Sequence, residues 1–168
     1  IRRKSIEIVD ADGKRVERKP YVSEQTSEAA EKGQYAHFML KEIHEQPRAV
    51  AQTLQERVAG GRLLAQAFGP AATEVFKRTT SVHIVACGTS YHAGMVARYF
   101  IEQLCRVPCR VEIASEFRYR DPVVPANSLF VSISQSGETA DTLAALRLAR
   151  KAGFLSTLAI CNVPESSL

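Results

Sequence analysis

The chain has 168 residues, enough for about one domain of ordinary size with some flanking sequence. Its 45% hydrophobic and 24% charged residues are ordinary for a soluble globular protein. The net charge of +4 is mild and no dense basic run occurs, so neither nucleic acid nor an acidic membrane surface is indicated as a partner. No apolar run approaches the roughly 20 residues of a membrane span, and no signal-peptide pattern opens the chain.

The N-terminal end of the sequence predicts a β-hairpin followed by a linker. Residues 1 to 19 alternate polar and apolar on both sides of the turn dipeptide Asp12-Gly13, and residues 20 to 35 are polar without a period. A two-stranded hairpin is only marginally stable alone, and the chain begins with Ile1 rather than Met. We therefore expect the hairpin to belong to a sheet whose other strands lie upstream.

A helical pattern of apolar residues begins at His37. Pro47 interrupts this pattern, and proline suits the first turn of a helix better than its interior. The pattern therefore predicts a second helical segment that begins near Pro47 and ends at Gly60-Gly61.

The remainder of the chain alternates strands and helices. Apolar runs joined by short connections predict four strands and two helices, at Val82–Cys87, Ser90–Cys105, Cys109–Ile113, Ser128–Ile133, Thr139–Ala152 and Ser156–Cys161. This alternation predicts an α/β fold, a doubly wound parallel sheet with helices on both faces. The first of these helices is apolar on most sides, so we expect other protein to cover more than one side. Because the sequence stops just after a strand, we expect the sheet to continue beyond Leu168.

The segment Ser134-Gln135-Ser136-Gly137-Glu138-Thr139, here called the serine loop, lies between a predicted strand and a predicted helix. Ligands of open α/β sheets bind beyond the carboxyl ends of the strands, and the first turn of a helix attracts anions through unpaired N–H groups. The loop offers three hydroxyls and an amide, and its glycine lets the backbone approach a ligand closely. The pattern predicts a phosphate site; the alternative is a turn that only caps the helix.

A second turn, Cys87-Gly88-Thr89-Ser90, here called the cysteine turn, follows the first strand of the predicted sheet. It adds the hydroxyls of Thr89 and Ser90, although a simple N-cap is an alternative. Parallel strands end at one edge, so both turns are expected to face one ligand. Neither turn contains the Walker lysine or G-x-G-x-x-G, so a phosphate monoester such as a sugar phosphate is favoured over a dinucleotide.

Charged and imidazole side chains near the turns carry further predictions. Glu138 is expected to point outward and to interact with the helix dipole; a general base for sugar isomerisation is the alternative. His83 and His92 are expected to be structural, with His92 the better acid/base candidate by position. Glu116 and Arg120, four residues apart, predict either a helical ion pair or the mouth of the pocket.

The four cysteines form no C-x-x-C pair, and no histidines are spaced around them as zinc ligands would be. They predict reduced thiols in a cytoplasmic protein without a metal site.

Four segments of the sequence, in this order, resemble a known family: Ala86 to Tyr91, Glu112 to Tyr119, Ser134 to Thr142 and Ala159 to Pro164. They are similar to the sugar isomerase (SIS) domain of the glutamine–fructose-6-phosphate aminotransferases, also called glucosamine-6-phosphate synthases. The serine loop alone would indicate only an SIS domain, whereas the four segments together indicate the synthases. The resemblance covers the whole chain and implies a remnant of the glutaminase domain at residues 1–26, a linker at 27–36 and part of the first SIS domain at 37–168.

The resemblance also implies the roles of residues in the two turns. Ser134, Gln135, Ser136 and Thr139 are expected to hold the phosphate. Cys87, Thr89 and Ser90 are expected to border the sugar, with Ser90 in the most direct contact. No metal and no organic cofactor is implied, and a homodimer through the SIS domains is expected.

Enzymes of this family make glucosamine 6-phosphate and glutamate from fructose 6-phosphate and glutamine. The resemblance implies that the nucleophilic cysteine lies upstream of Ile1 and that the proton-transferring glutamate, ring-opening histidine and C-terminal lysine lie downstream of Leu168. No catalytic residue is therefore assigned here, and the segment alone is expected to be inactive. The alternatives are a stand-alone SIS module that senses sugar phosphates, as in some transcriptional regulators, and a different phosphosugar isomerase.

Overall fold

The computed structural model describes residues 6–19 and 31–168. The chain divides into two compact units, Ile1–Thr53 and Leu54–Leu168. The start of the predicted hairpin and most of the predicted linker lie outside the described residues, and the division into glutaminase remnant, linker and SIS domain stays a prediction. In the described ranges, no helix is both long enough and apolar enough to cross a membrane.

The first unit contains a hairpin turn as predicted. The N–H of Val16 donates to the carbonyl of Ile8 at 2.9 Å, and Val9 forms an antiparallel bridge with Arg15. The carboxylate of Asp10 accepts two backbone N–H groups inside the turn, at 2.9 and 3.0 Å. Within residues 6–19 the pairing is one isolated bridge rather than two strands, as the marginal stability of a two-stranded sheet leads one to expect.

Helix α1, Phe38–Leu54, is continuous, and Pro47 lies inside it. The prediction of a second segment beginning at Pro47 is therefore wrong. The ring of Pro47 is exposed on the helix surface, so water can reach the carbonyl of Ile43 that the missing N–H leaves unpaired. The helix ends before Gly60-Gly61, which instead form the turn of a small antiparallel hairpin in the second unit.

The second unit contains the parallel sheet and its helices. In chain order its elements are β1 (Val58–Ala59), β2 (Arg62–Leu63), a 3-10 turn (Ala65–Phe68), α2 (Ala72–Arg78), β3 (Ser81–Ala86), α3 (Gly88–Phe100), a π-turn (Ile101–Cys105), β4 (Cys109–Ile113), α4 (Ala114–Phe117), β5 (Ser128–Ser134), α5 (Ala140–Ala149) and β6 (Ser156–Cys161). The four predicted strands of the sheet are confirmed to within a residue. The short elements before β3 were not predicted, because they are too short to show a hydrophobic period.

The four strands lie in the order β4-β3-β5-β6, and every neighbouring pair is parallel. After β3 the chain adds β4 on one side, then returns to place β5 on the other side. The strand order therefore reverses between β3 and β5, where open α/β sheets bind ligands. The predicted α/β fold with a doubly wound parallel sheet is confirmed.

Both faces of the sheet are covered, because side chains along each strand alternate between them. On one face Val85 of β3 and Phe130 of β5 pack with α4 and α5 around the buried Phe117. On the other face Ile84 and Val131 pack with residues of α2, α3 and the π-turn. This two-sided core holds the ends of β3 and β5 in fixed positions.

Candidate functional site

The cysteine turn and the serine loop meet at the carboxyl edge of the sheet. Ala86 of β3 and Ile133 of β5 are register partners, so the residues that follow them leave the sheet side by side. Together they form a cavity of about 240 Å³, lined by Cys87, Gly88, Thr89, Ser90, Ile133, Ser134, Gln135, Ser136 and Thr139. All seven residues expected to hold the phosphate or to border the sugar line this one cavity.

Hydroxyl groups of the serine loop shape its backbone. The buried Ser134 accepts the N–H of Gly137 at 3.0 Å, and its Oγ lies 3.4 Å from Oγ1 of Thr139. Ser136 accepts the N–H of Glu138 at 3.2 Å. Gly137 takes a φ of 68°, a left-handed conformation that other residues adopt at a cost. Hydrogen bonds from its backbone to its own serine side chains therefore define the conformation of the loop ahead of α5.

Helices α3 and α5 both begin at the cavity, since residues at the start of each helix line it. Cys87 and Thr139 are the N-cap residues, and neither makes a side-chain capping hydrogen bond in the described structure. The loop hydroxyls bond instead to N–H groups ahead of α5, so the interpretation of the serine loop as a simple cap does not fit. First-turn N–H groups without side-chain partners are suited to an anion.

In the described part of the chain, no wall residue of the cavity carries a charge. Glu138 is exposed and points out of the cavity, as expected. Its partner, however, is the backbone N–H of Ser167, which donates to the carboxylate at 2.7 Å. That hydrogen bond lowers the pKa of the Glu138 carboxyl below its ordinary value. The side chain therefore stays anionic and faces away from the ligand site.

A family model described as "SIS domain" matches residues 76–168, more than half of the chain. The chain belongs to the SIS domain family. Over all 168 residues it is 60% identical to the glutamine–fructose-6-phosphate aminotransferase [isomerizing] of Pseudomonas putida, so the resemblance predicted from the sequence is confirmed. The chain spans 28% of that protein's length.

Solved structures agree with this assignment of an SIS domain. The C-terminal domain of glucosamine-fructose-6-phosphate aminotransferase from Francisella tularensis superposes with a TM-score of 0.78 and 56% identity, over 82% of this chain and 39% of that one. The tagatose-6-phosphate ketose/aldose isomerase of Escherichia coli has a TM-score of 0.62 at 20% identity, over 75% of this chain and 35% of that one. The second likeness shows a common fold alone.

Two further predictions concern His92 and the pair Glu116 and Arg120, none of which lines the cavity. His92 is exposed, and its ring packs on that of Tyr91 with centroids 5.5 Å apart. The predicted ion pair of Glu116 and Arg120 is wrong, because Arg120 pairs with Glu112 of β4. Helix α4 ends at Phe117, so residues 116 and 120 do not share a helix face.

Sequence reasoning missed residues that support the cavity wall from outside. Thr142 in the first turn of α5 donates to Sγ of Cys87 at 3.9 Å, which links the cysteine turn to the helix that follows the serine loop. Cys161, at the end of β6, donates to the carbonyl of Gln135 at 3.7 Å. Their partners lie 55 and 26 residues away, so no local pattern could have indicated them.

Proposed function

We propose that this SIS domain binds the phosphate of fructose 6-phosphate and glucosamine 6-phosphate as part of a glutamine–fructose-6-phosphate aminotransferase. One observation carries the proposal: residues from two turns far apart in sequence line a single cavity at the strand switch point. The similarity to the synthases also includes residues 1–75, ahead of the family match. That similarity favours a synthase over a stand-alone sensing module.

The serine loop would hold the phosphate with neutral donors. A hydroxyl oxygen that accepts a backbone N–H keeps its own proton for donation. Ser134 and Ser136 each accept such an N–H from within the loop, so both hydroxyl protons can point to phosphate oxygens. Gln135 and Thr139 add further donors, and the open start of α5 adds its partial positive charge.

The cysteine turn would border the sugar. Thr89 and Ser90 lie in the first turn of α3, across the cavity from the serine loop. Their hydroxyls are suited to the hydroxyl groups of an open-chain sugar, and Ser90 is the residue proposed for direct contact. Cys87 is held in the wall by Thr142.

We propose that this chain binds the sugar phosphate and that other parts of the protein transfer protons to and from the carbons of the sugar. Converting a ketose to an aldose requires proton transfer between neighbouring carbons, which a carboxylate or imidazole performs. The described wall of the cavity contains neither group. The 168-residue chain by itself is therefore expected to make no glucosamine 6-phosphate.

We also propose a homodimer in the cytoplasm. The four cysteines all lie in the described ranges and are unpaired, which supports a reducing compartment. Support for the dimer comes from a stripe of exposed apolar side chains on α3 and the π-turn, here called the α3 stripe: Met95, Val96, Tyr99, Phe100 and Leu104.

Calorimetric titration with fructose 6-phosphate tests the phosphate site. Replacing both Ser134 and Thr139 by Ala removes two donors to a charged ligand, so affinity should fall at least about tenfold. The matched control is Ser156→Ala with Thr157→Ala, which removes two hydroxyls at the start of β6, away from the cavity. Unchanged affinity in the first variant, or a wild-type chain that does not bind, would refute the proposal.

A further inference from the structure

The serine loop is held from outside the cavity by the last residue of β6 and the segment that follows it. We call this set of contacts the latch. It joins Gln135, Gly137 and Glu138 of the loop to Cys161, Ser166 and Ser167. Its shortest bond is the one at 2.7 Å from the N–H of Ser167 to Oε1 of Glu138. Its second contact is the thiol of Cys161, whose single proton can be donated to the carbonyl of Gln135 or to that of Val163, each at 3.7 Å.

The two segments of the latch pack without spare room. A Cβ atom at Gly137 would overlap the side chain of Ser166 and would lie 2.8 Å from Sγ of Cys161. The same sulfur lies 3.4 Å from Oγ of Ser166 and accepts the N–H of Val163 at 3.4 Å. The segment after β6 therefore forms a shaped support for the outer side of the loop.

Glu138 connects this support to a proposed ligand donor. Its backbone N–H donates to Oγ of Ser136, and its carboxylate accepts from Ser167. A shift of residue 138 would therefore move the hydroxyl of Ser136, a residue that lines the cavity. Glu138 itself is not among the residues that line the cavity.

We propose that Glu138 is a positioning residue: its bond to Ser167 fixes the serine loop in the conformation that binds the phosphate of the sugar. The inference rests on the proposed function of the loop. It assigns Glu138 neither a contact with the substrate nor a proton-transfer step. What the bond to Ser167 requires is an acceptor oxygen at the end of a side chain of this length.

The test compares three variants of the chain by calorimetric titration with fructose 6-phosphate. Glu138→Ala removes the acceptor and should weaken binding about fivefold, the effect of losing one hydrogen bond. Glu138→Gln keeps an acceptor oxygen and should therefore retain most of the affinity that Glu138→Ala loses. Glu74→Ala, which removes an exposed carboxylate on α2, is the matched control and should bind like the wild type.

Amide hydrogen exchange of Ser167 supplies a second readout. Exchange should become faster in Glu138→Ala and return toward the wild-type rate in Glu138→Gln, because only the second keeps the bond. Wild-type affinity in Glu138→Ala, or equal losses in both Glu138 variants, would overturn the inference. If the Glu138 inference fails but the variant with Ser134→Ala and Thr139→Ala loses affinity, the proposed phosphate site still stands. If the wild-type chain does not bind fructose 6-phosphate, both the inference and the proposed function are refuted.

Discussion

His83 is a titratable side chain buried inside the sheet. His83 is 5% exposed, and its ring packs near the rings of Phe117, Phe130 and Phe154. Nε2 lies 3.0 Å from a carboxylate oxygen of Glu112 but out of line for a hydrogen bond. Burial lowers the pKa of His83 below 6.5, and this effect outweighs the opposing attraction of Glu112. The charged groups that face it are Glu112, Arg110 and Arg120.

This burial predicts a pH dependence of stability. A histidine whose pKa is lower in the folded state binds fewer protons when folded, so its stabilising contribution is lost as pH falls below about 6.5. The free energy of unfolding, from urea denaturation at about pH 8 to about pH 5, should therefore decrease toward acid. His83→Gln should flatten this slope, whereas His92→Gln, at an exposed site, should not. Equal slopes in the wild type and His83→Gln would contradict the prediction.

The residues of the cavity differ in how far sequence could predict them. Ser134, Ser136 and Thr139 belong to one local pattern, a strand end followed by hydroxyls and a helix start, so the sequence indicated them directly. Glu138 was expected to point outward, which is correct, but its partner Ser167 lies 29 residues away. Such a partner follows from the packing of the segment after β6, which no local period encodes.

At the scale of elements, the strands were more predictable than the helices. Buried parallel strands such as β3 and β5 appear as short continuous apolar runs, which end at turn residues. Helix α5 ends at Ala149, three residues before the predicted end, because hydrophobic periodicity does not define where a last turn unwinds. Helix α1 continues through Pro47, where the sequence predicted a break. Pro47 is exposed, so water can replace the one backbone hydrogen bond that proline removes.

Gly94 determines how closely α3 packs on the sheet. It is the buried residue of that helix, and a Cβ there would lie 3.0 Å from Cγ2 of Ile84 and 3.2 Å from Cγ1 of Val111. A glycine at this point lets the helix backbone lie against β3 and β4. Glycine weakens the interior of a helix. Its presence at position 94 is explained by the lack of a side chain, which the close packing requires, and not by its flexibility.

Gly94→Leu should lower the free energy of unfolding by about 2 kcal/mol, because the core cannot accept a large side chain at this contact. Urea denaturation of Ala93→Leu is the control, since it adds the same side chain to an exposed position one residue earlier in the same helix. The control should stay within about 0.5 kcal/mol of the wild type. Equal stability of the two variants would show that α3 does not pack closely through Gly94.

At the scale of the whole molecule, α3 has one face on the sheet and another in solvent. Ala97 of α3 and Ile101 of the π-turn pack on the core, whereas the α3 stripe is between 41% exposed at Met95 and 74% exposed at Leu104. Exposed apolar side chains grouped in this way on one helix are typical of a contact with other protein. The sequence predicted such cover from the apolar residues on most sides of the helix.

If a second copy of the chain covers the α3 stripe, charges placed there should separate the copies. Tyr99→Lys with Leu104→Lys would bury two unpaired charges from each copy in the interface, and each buried charge costs on the order of several kcal/mol. Sedimentation velocity should show the wild type as a dimer and this variant as a monomer. The control, Tyr119→Lys with Val123→Lys, changes a tyrosine and an aliphatic residue that are 79% and 84% exposed elsewhere, and it should remain dimeric. A monomeric wild type, or a dimeric stripe variant, would exclude this stripe as the dimer contact.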